Sequence, residues 1–232
     1  EKKKGIELCQ EINFYKANCF LKMNEYKKAI KIYDQYIYGK VNSILKSRNS
    51  NVMHFLLGFI ENEIKNVENA EEEDRNISPS KNPKNMPAKP EFSFNREDPN
   101  EQIDYHIIQS FFKIGYCHMQ LNQFNLAIRD FQLTLVLDPG FHDAYFNQGL
   151  CYISKGEYQN AYNSLQKLIQ SRPEDNDSEL YTNIGICQYN MGEYENALIS
   201  LNKAKDLGSH SYENYYYKGL CYNGLDKTED AL

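Results

Sequence analysis

The sequence predicts an all-α fold, an α-α superhelix of antiparallel helix pairs, and three observations predict it. Gly115, Gly149, Gly185 and Gly219 recur at steps of 34, 36 and 34 residues. An alanine follows each of them 12 residues later, at Ala127, Ala161, Ala197 and Ala231. Within each half-copy, apolar residues recur at three- and four-residue steps, as in Phe124, Ala127, Ile128 and Phe131, which gives a helix one buried face. One such pair cannot cover its own apolar surface, so neighbouring copies must stack.

The elements follow in order. Residues 1–41 form a first copy, in which Ala17 takes the glycine's place and Ala29 stands 12 residues further on. Residues 42–72 are an insertion whose stretch NVMHFLLGFIENEIKNVENAEEE reads as an amphipathic helix. Gly58 and Ala70 are also 12 apart, but EEEDRNISPS supplies no apolar face for a second helix. Residues 73–100 are rich in Pro, Asn, Ser and charge and read as an extended or disordered linker. Phe92 and Phe94 are an isolated aromatic pair in it, either solvated or pinned to the protein's own surface. Residues 101–232 hold three full copies and a truncated one. Breakers separate their helices: Asp138-Pro139-Gly140, Gly156-Glu157 and Gly192-Glu193, with Pro139 and Pro173 each 24 residues after their glycine. The recurring glycines and alanines mark where the two helices of a pair cross closely. Ala231-Leu232 stops just inside a further second helix, so the sequence is expected to be a segment of a longer chain.

The third copy, DAYFNQGLCYISKGEYQNAYNSLQKLIQSRP, carries Tyr145-x2-Gln148-Gly149-x2-Tyr152, then Ala161-x3-Leu165, then Pro173. These residues resemble the tetratricopeptide repeat, a helix–turn–helix unit of about 34 residues. The resemblance covers residues 9–41 and 106–232. The departures are Tyr or Phe for the first Trp, Gln148 for a Leu, and His118 and Gln188 for a Tyr.

The resemblance implies that the first helix of each copy lines a groove that holds peptides or helices. It places there the fifth position, Phe14, Phe112, Phe146, Thr182 and Tyr216, and the ninth, Asn18, Tyr116, Leu150, Ile186 and Leu220. Such a groove suits an amphipathic partner, although the ninth position equally suits packing between adjacent copies. Asn147 and Asn183 hold the sixth position, with Lys113 and Tyr217 in the flanking copies. An amide there offers a peptide backbone both donor and acceptor. The second position, Glu11, Gln109, Asp143, Glu179 and Glu213, is almost an acidic ladder. Acids in a helix's first turn stabilise it by about 0.3–1 kcal/mol; as a rim, Asp143, Glu179 and Glu213 would favour a basic partner. Chaperone-binding relatives clamp a carboxylate with a set of Lys, Asn and Arg. Here Phe112 and Tyr116 stand where its first Lys and Asn belong, and Glu179 stands where a Lys is needed. That clamp is not expected.

Composition narrows the function classes. A net charge of −6 argues against a nucleic-acid partner, since neutralising phosphates needs a basic face. No apolar run is long enough for a membrane span. There is no Gly-rich phosphate loop, His-Glu-x-x-His or Cys-x-x-Cys, and no cofactor or metal is expected. His54, His106, His118, His142 and His210 are scattered without a recurring carboxylate, and His118 reads as a packing residue. Five of the six cysteines, Cys19, Cys117, Cys151, Cys187 and Cys221, hold the tenth position of their copies. Equivalent positions of stacked helix pairs lie about 10 Å or more apart. Zinc needs thiolates at about 2.3 Å, and a disulfide needs Cα atoms within about 7 Å. The cysteine is therefore expected as a small apolar residue in the helix-pair seam, and reduced thiols suit a cytoplasmic home.

The expected function is a non-catalytic scaffold or adaptor binding a peptide, a helix or neighbouring subunits of a large assembly. Abundant Asn, Lys, Ile and Tyr resemble AT-rich protist composition, which tilts the setting toward ciliary transport or axonemal assemblies. The competing expectations are a co-chaperone, or a regulatory region of a larger enzyme of phosphatase or glycosyltransferase type.

Overall fold

The computed structural model describes residues 2–47, 53–58, 103–172 and 177–225. The expected linker with Phe92 and Phe94, Pro173, and Ala231-Leu232 lie outside the described residues. The helices are α1 (Lys2–Lys22), α2 (Tyr26–Ser47), α3 (Tyr105–Gln120), α4 (Phe124–Leu137) and α5 (His142–Ser154). They continue with α6 (Tyr158–Ser171), α7 (Ser178–Asn190), α8 (Tyr194–Asp206) and α9 (Tyr212–Gly224). Residues 53–58 are also helical, and no strand occurs among the described residues. The fold is all-α, built of antiparallel pairs. The chain divides into two compact units, Glu1–Cys117 and His118–Leu232.

Four copies turn from first to second helix by the same device. Asn24, Asn122, Gly156 and Gly192 sit at one register position with φ of 58°, 57°, 74° and 81°. This left-handed conformation favours glycine and tolerates asparagine. The next residue's N–H then reaches back to close the helix: Glu25 to the Phe20 carbonyl at 2.9 Å, Gln123 to His118 at 2.8 Å, Glu157 to Tyr152 and Glu193 to Gln188 at 2.9 Å. These bonds satisfy carbonyls that a helix end leaves open. The carbonyl of that same residue accepts the N–H of Ala29, Ala127, Ala161 or Ala197, starting the second helix. All four alanines are completely buried.

The glycine-to-alanine spacing has a direct physical cause. A Cβ on Gly149 would lie 2.7 Å from Leu165 Cδ2, with the Ala161 carbonyl oxygen at 3.7 Å. On Gly185 it would lie 2.5 Å from Leu201 Cγ and 3.3 Å from the Ala197 carbonyl oxygen. The backbones of α5 and α6, and of α7 and α8, approach as closely as a missing Cβ permits.

In the second unit, α5 packs on α6 and α7 on α8, while α4 meets α5, α6 meets α7 and α8 meets α9. The first helices α5, α7 and α9 also touch in succession, whereas α4, α6 and α8 make no such contacts with one another. The first helices thus share one side of this unit. Ala161, Leu165 and Leu168 of α6 form one core with Leu180, Ile184 and Cys187 of α7. Ala197 and Leu201 of α8 do the same with Cys221 of α9.

These clusters correct the expectation about the cysteines. Cys187 and Cys221 face the second helix of the preceding copy, so the seam is between copies rather than within a pair. Cys117, Cys151, Cys187 and Cys221 are buried, but Cys19 is exposed. It belongs to the first copy, and no second helix precedes α1 among the described residues.

The first unit packs α1 against α2 through Phe14, Ala17, Ala29, Tyr33, Tyr36 and Ile37, all buried. Ile107, Phe111 and Ile114 of α3 are buried too, and the Phe14 ring lies 4.7 Å from that of His106.

Candidate protein-binding surface

The fifth-position residues divide by burial. Phe14 and Thr182 are buried, and Thr182 spends its hydroxyl on the Ser178 carbonyl at 2.9 Å. Phe112 and Phe146 are half-buried, with Phe146 packed against the α6–α7 core. Tyr216 is 47% exposed and stacks on Tyr212, centroids 5.6 Å apart and planes 19° apart. At the ninth position Ile186 is buried, while Asn18, Tyr116, Leu150 and Leu220 are half-buried. These side chains pack the array and leave an edge at the surface. Ile186 leaves almost no edge there.

Asn147 and Asn183 are half-buried, and each amide nitrogen donates to a carbonyl one turn back in its own helix. Asn147 reaches Asp143 at 2.8 Å and Asn183 reaches Glu179 at 3.0 Å. These local bonds fix both side chains along their helices and leave the amide oxygens as acceptors.

Asp143, Glu179 and Glu213 are exposed in the first turns of α5, α7 and α9. Because those three helices touch in succession, the carboxylates recur along one side of the second unit. None of the three has a cationic partner among the described residues.

In the first unit the sixth-position residue is Lys113. Its ammonium donates to Asn18 Oδ1 at 2.5 Å and lies 4.7 Å from the Phe14 ring centre. Asn18 Oδ1 also accepts the Tyr33 hydroxyl at 2.6 Å. Burial, and secondly the nearby Lys22 ammonium, hold the Lys113 pKa below the ordinary lysine value.

His118 is more than a packing residue. Its Nδ1 lies 2.6 Å from Asp130 Oδ2, and Arg129 donates through Nε and Nη2 to the other oxygen at 3.1 and 2.9 Å. His118 and Asp130 are both buried. The same two register positions in α7 and α8 hold Gln188 and Ser200, whose hydroxyl donates to Gln188 Oε1 at 2.6 Å. The signal was legible as polar residues recurring 12 apart where the pattern elsewhere is apolar. Closed off from solvent, the histidine–carboxylate pair ties α3 to α4 instead of meeting a substrate.

The cysteines are equally closed. Burial pushes the Cys151 and Cys187 thiols up to about 12 and that of Cys221 up to about 11, so they stay protonated. Among the described residues no three His, Cys, Asp or Glu side chains group as a metal would require. No helix among them is long and apolar enough to cross a membrane.

Comparison with known proteins agrees with this architecture. One family model, described as a tetratricopeptide repeat, matches residues 12–38 and 143–175, and a second of the same description matches 178–207. Among solved structures, one of MamA aligns at 25% identity over 53% of this chain and 71% of its own, with a TM-score of 0.50. MamA from Desulfovibrio magneticus RS-1 aligns at 19% identity over 53% and 69%, also at 0.50. MamA of AMB-1 aligns at 13% identity over 97% of this chain and 87% of its own, at 0.60. No curated protein matches the chain. The shared turn, the glycine–alanine crossing and the inter-copy seam fall together in the segments that match: the chain carries tetratricopeptide repeats, an architecture that supports a protein–protein interaction scaffold.

Proposed function

We propose that this chain is a non-catalytic scaffold whose first helices hold a basic, amphipathic segment of a protein partner within a multiprotein assembly. The row of exposed, unpaired carboxylates Asp143, Glu179 and Glu213 on three successive touching helices carries the reading. Each stabilises its own helix through the dipole, yet that role needs no alignment along one side. Beside them Phe146, Leu150, Tyr216 and Leu220 offer apolar edges to a partner's apolar face. The net charge of −6 speeds encounter with a cation-rich segment. A ciliary or axonemal assembly is the setting we favour, on composition alone.

The test is a fluorescence-anisotropy titration with a labelled amphipathic Lys/Leu peptide and an isosteric Glu/Leu control. The basic peptide binds the native chain, and its affinity falls as salt rises because exposed charges are screened. Replacing the row by Asp143→Asn, Glu179→Gln and Glu213→Gln weakens binding by about tenfold and flattens the salt slope. Equal affinity of the triple variant, or equal binding of the acidic control, overturns the basic-partner reading.

A further inference from the structure

Several aromatic rings in this protein carry a cation of their own. The Lys203 ammonium lies 4.0 Å from the Tyr181 ring centre and donates to its hydroxyl. Lys113 lies 4.7 Å from the Phe14 ring centre, and Lys28 lies 5.6 Å from that of Phe20. The two rings stacked on α9 depart from this pattern. Tyr212 is 74% exposed and Tyr216 47%, and neither has a lysine or arginine over it among the described residues. From Ser209 to Tyr217 the chain contains no Lys or Arg. Glu213 stands between the two tyrosines in sequence, exposed and without a cationic partner among the described residues.

The rings are held in place from beneath. Ser211 caps α9 by accepting the Asn214 N–H at 3.2 Å, and the buried Asn214 side chain donates to the Leu201 carbonyl of α8 at 2.9 Å. These bonds fix the first turn, which carries Tyr212 and Glu213. Four residues on, Tyr216 falls on the same face as Tyr212, and the two rings stack with centroids 5.6 Å and planes 19° apart. Tyr216 meets Tyr217 edge-on at 5.4 Å, and Tyr217 meets Tyr189 of α7 at 5.3 Å. The stack is thus tied to α7 and α8, so a ligand finds it already ordered. Glu213, three residues before Tyr216, is its neighbour on the helix surface, with Cβ atoms about 5–6 Å apart.

The surroundings say which group fits. Aromatic faces attract positive charge, and a carboxylate accepts N–H donors. Both rings are open to water, so a strongly hydrated ammonium gains little by meeting them. A guanidinium is planar and weakly hydrated, and it lies flat on a ring while its edge N–H groups still reach a carboxylate. A proline ring also stacks on tyrosine but makes no use of Glu213.

We propose that Tyr212, Glu213 and Tyr216 form a seat for an arginine side chain of the protein partner. The inference rests on the reading that the first helices bind a basic segment, and it names the side chain recognised and the place that recognises it.

The test uses the whole chain with 13Cε-labelled tyrosine, the two ring signals being assigned from their loss in Tyr212→Phe and Tyr216→Phe. The probes are an amphipathic Arg/Leu peptide and its Lys/Leu, citrulline/Leu and Pro/Leu counterparts, at constant ionic strength. The Arg/Leu peptide shifts both ring signals saturably, with a Kd about fivefold below that of the Lys/Leu peptide. Citrulline keeps the plane and loses the charge, and proline offers only a ring, so both of those peptides bind more weakly than Arg/Leu. Tyr212→Leu combined with Tyr216→Leu brings the Arg/Leu affinity, read by anisotropy, down to that of Lys/Leu. Unmoved ring signals, equal affinity for Arg/Leu and Lys/Leu, or a citrulline or proline peptide that binds as tightly as Arg/Leu overturns the seat. The decisive readings are made on the unaltered chain, so they hold even if the double variant folds poorly. Equal, salt-dependent binding of Arg/Leu and Lys/Leu drops the seat and keeps the acidic row. Arginine-selective shifts at the two rings, with affinity unchanged in Asp143→Asn/Glu179→Gln, drop the row and keep the seat.

Discussion

Cys19 and Cys187 are the same residue at the same register position, yet one is exposed and the other has no accessible surface. The difference is their neighbour: α6 covers Cys187 with Leu165 and Leu168, and nothing described covers Cys19. Chemistry follows burial, because only the thiolate attacks electrophiles and the Cys187 thiol is held up to about 12. With N-ethylmaleimide at pH 7.5, read by peptide mass spectrometry on the native chain, Cys19 is modified first. Cys151 and Cys187 react slower by on the order of a thousandfold, until denaturant makes the rates equal. Comparable native rates would mean that the inter-copy seams open readily. The recurrence of the cysteines, and their unfitness for zinc or disulfides, was legible from spacing alone. Which wall they faced was not, because a period fixes equivalence between positions and says nothing of which neighbour covers them. The His118–Asp130 pair left a weaker trace: polar residues recur in its register at Gln188 and Ser200, but neither the histidine nor the carboxylate does, so the spacing marked a polar contact without revealing its charge.

At the scale of the helix pair, three glycines in one register have different surroundings. Gly149 and Gly185 each lie against a leucine of their own second helix, while a Cβ on Gly219 would have nothing within 4 Å among the described residues. Gly185→Ala drives a methyl into Leu201 Cγ, a branch point on a fully buried side chain that cannot swing aside. We expect it to lower stability by about 1–3 kcal/mol in urea unfolding, the usual range for overpacking. Gly149→Ala meets the outer Leu165 Cδ2 first and costs less. Gly219→Ala meets no described neighbour and gains up to about 1 kcal/mol from helix propensity. Three equal effects would refute the crossing-point explanation of the glycine–alanine spacing. That spacing was the most legible feature of the fold, since a close crossing demands small residues on both helices. The turns were half legible. Gly156 and Gly192 announce a left-handed residue, but Asn24 and Asn122 do the same work at the same position without standing out as breakers.

In the second unit as a whole, stability is a sum of pair interactions and seams, and the seams are unequal. The α6–α7 seam joins six buried residues, with Tyr145, Phe146, Tyr162, Tyr181 and Met191 among the side chains packed around it. The α8–α9 seam joins Ala197, Leu201 and Cys221, and α9 buries only Asn214 and Cys221. Regions with fewer buried apolar contacts open at lower free energy than the core. Hydrogen exchange by mass spectrometry should therefore find the amides of Ile184–Cys187 in α7 exchanging on the order of a hundredfold slower than those of Tyr217–Cys221 in α9. Uniform protection across α7 and α9 would mean that the unit opens only as one body. The gradient bears on binding, because α9 carries both Glu213 and the most exposed aromatic stack, Tyr212 on Tyr216. A partner seated there would cover a helix with fewer described core contacts than α7, and binding that orders it should slow α9 exchange selectively while leaving α7 unchanged. Protection gained equally along the unit would place the partner elsewhere.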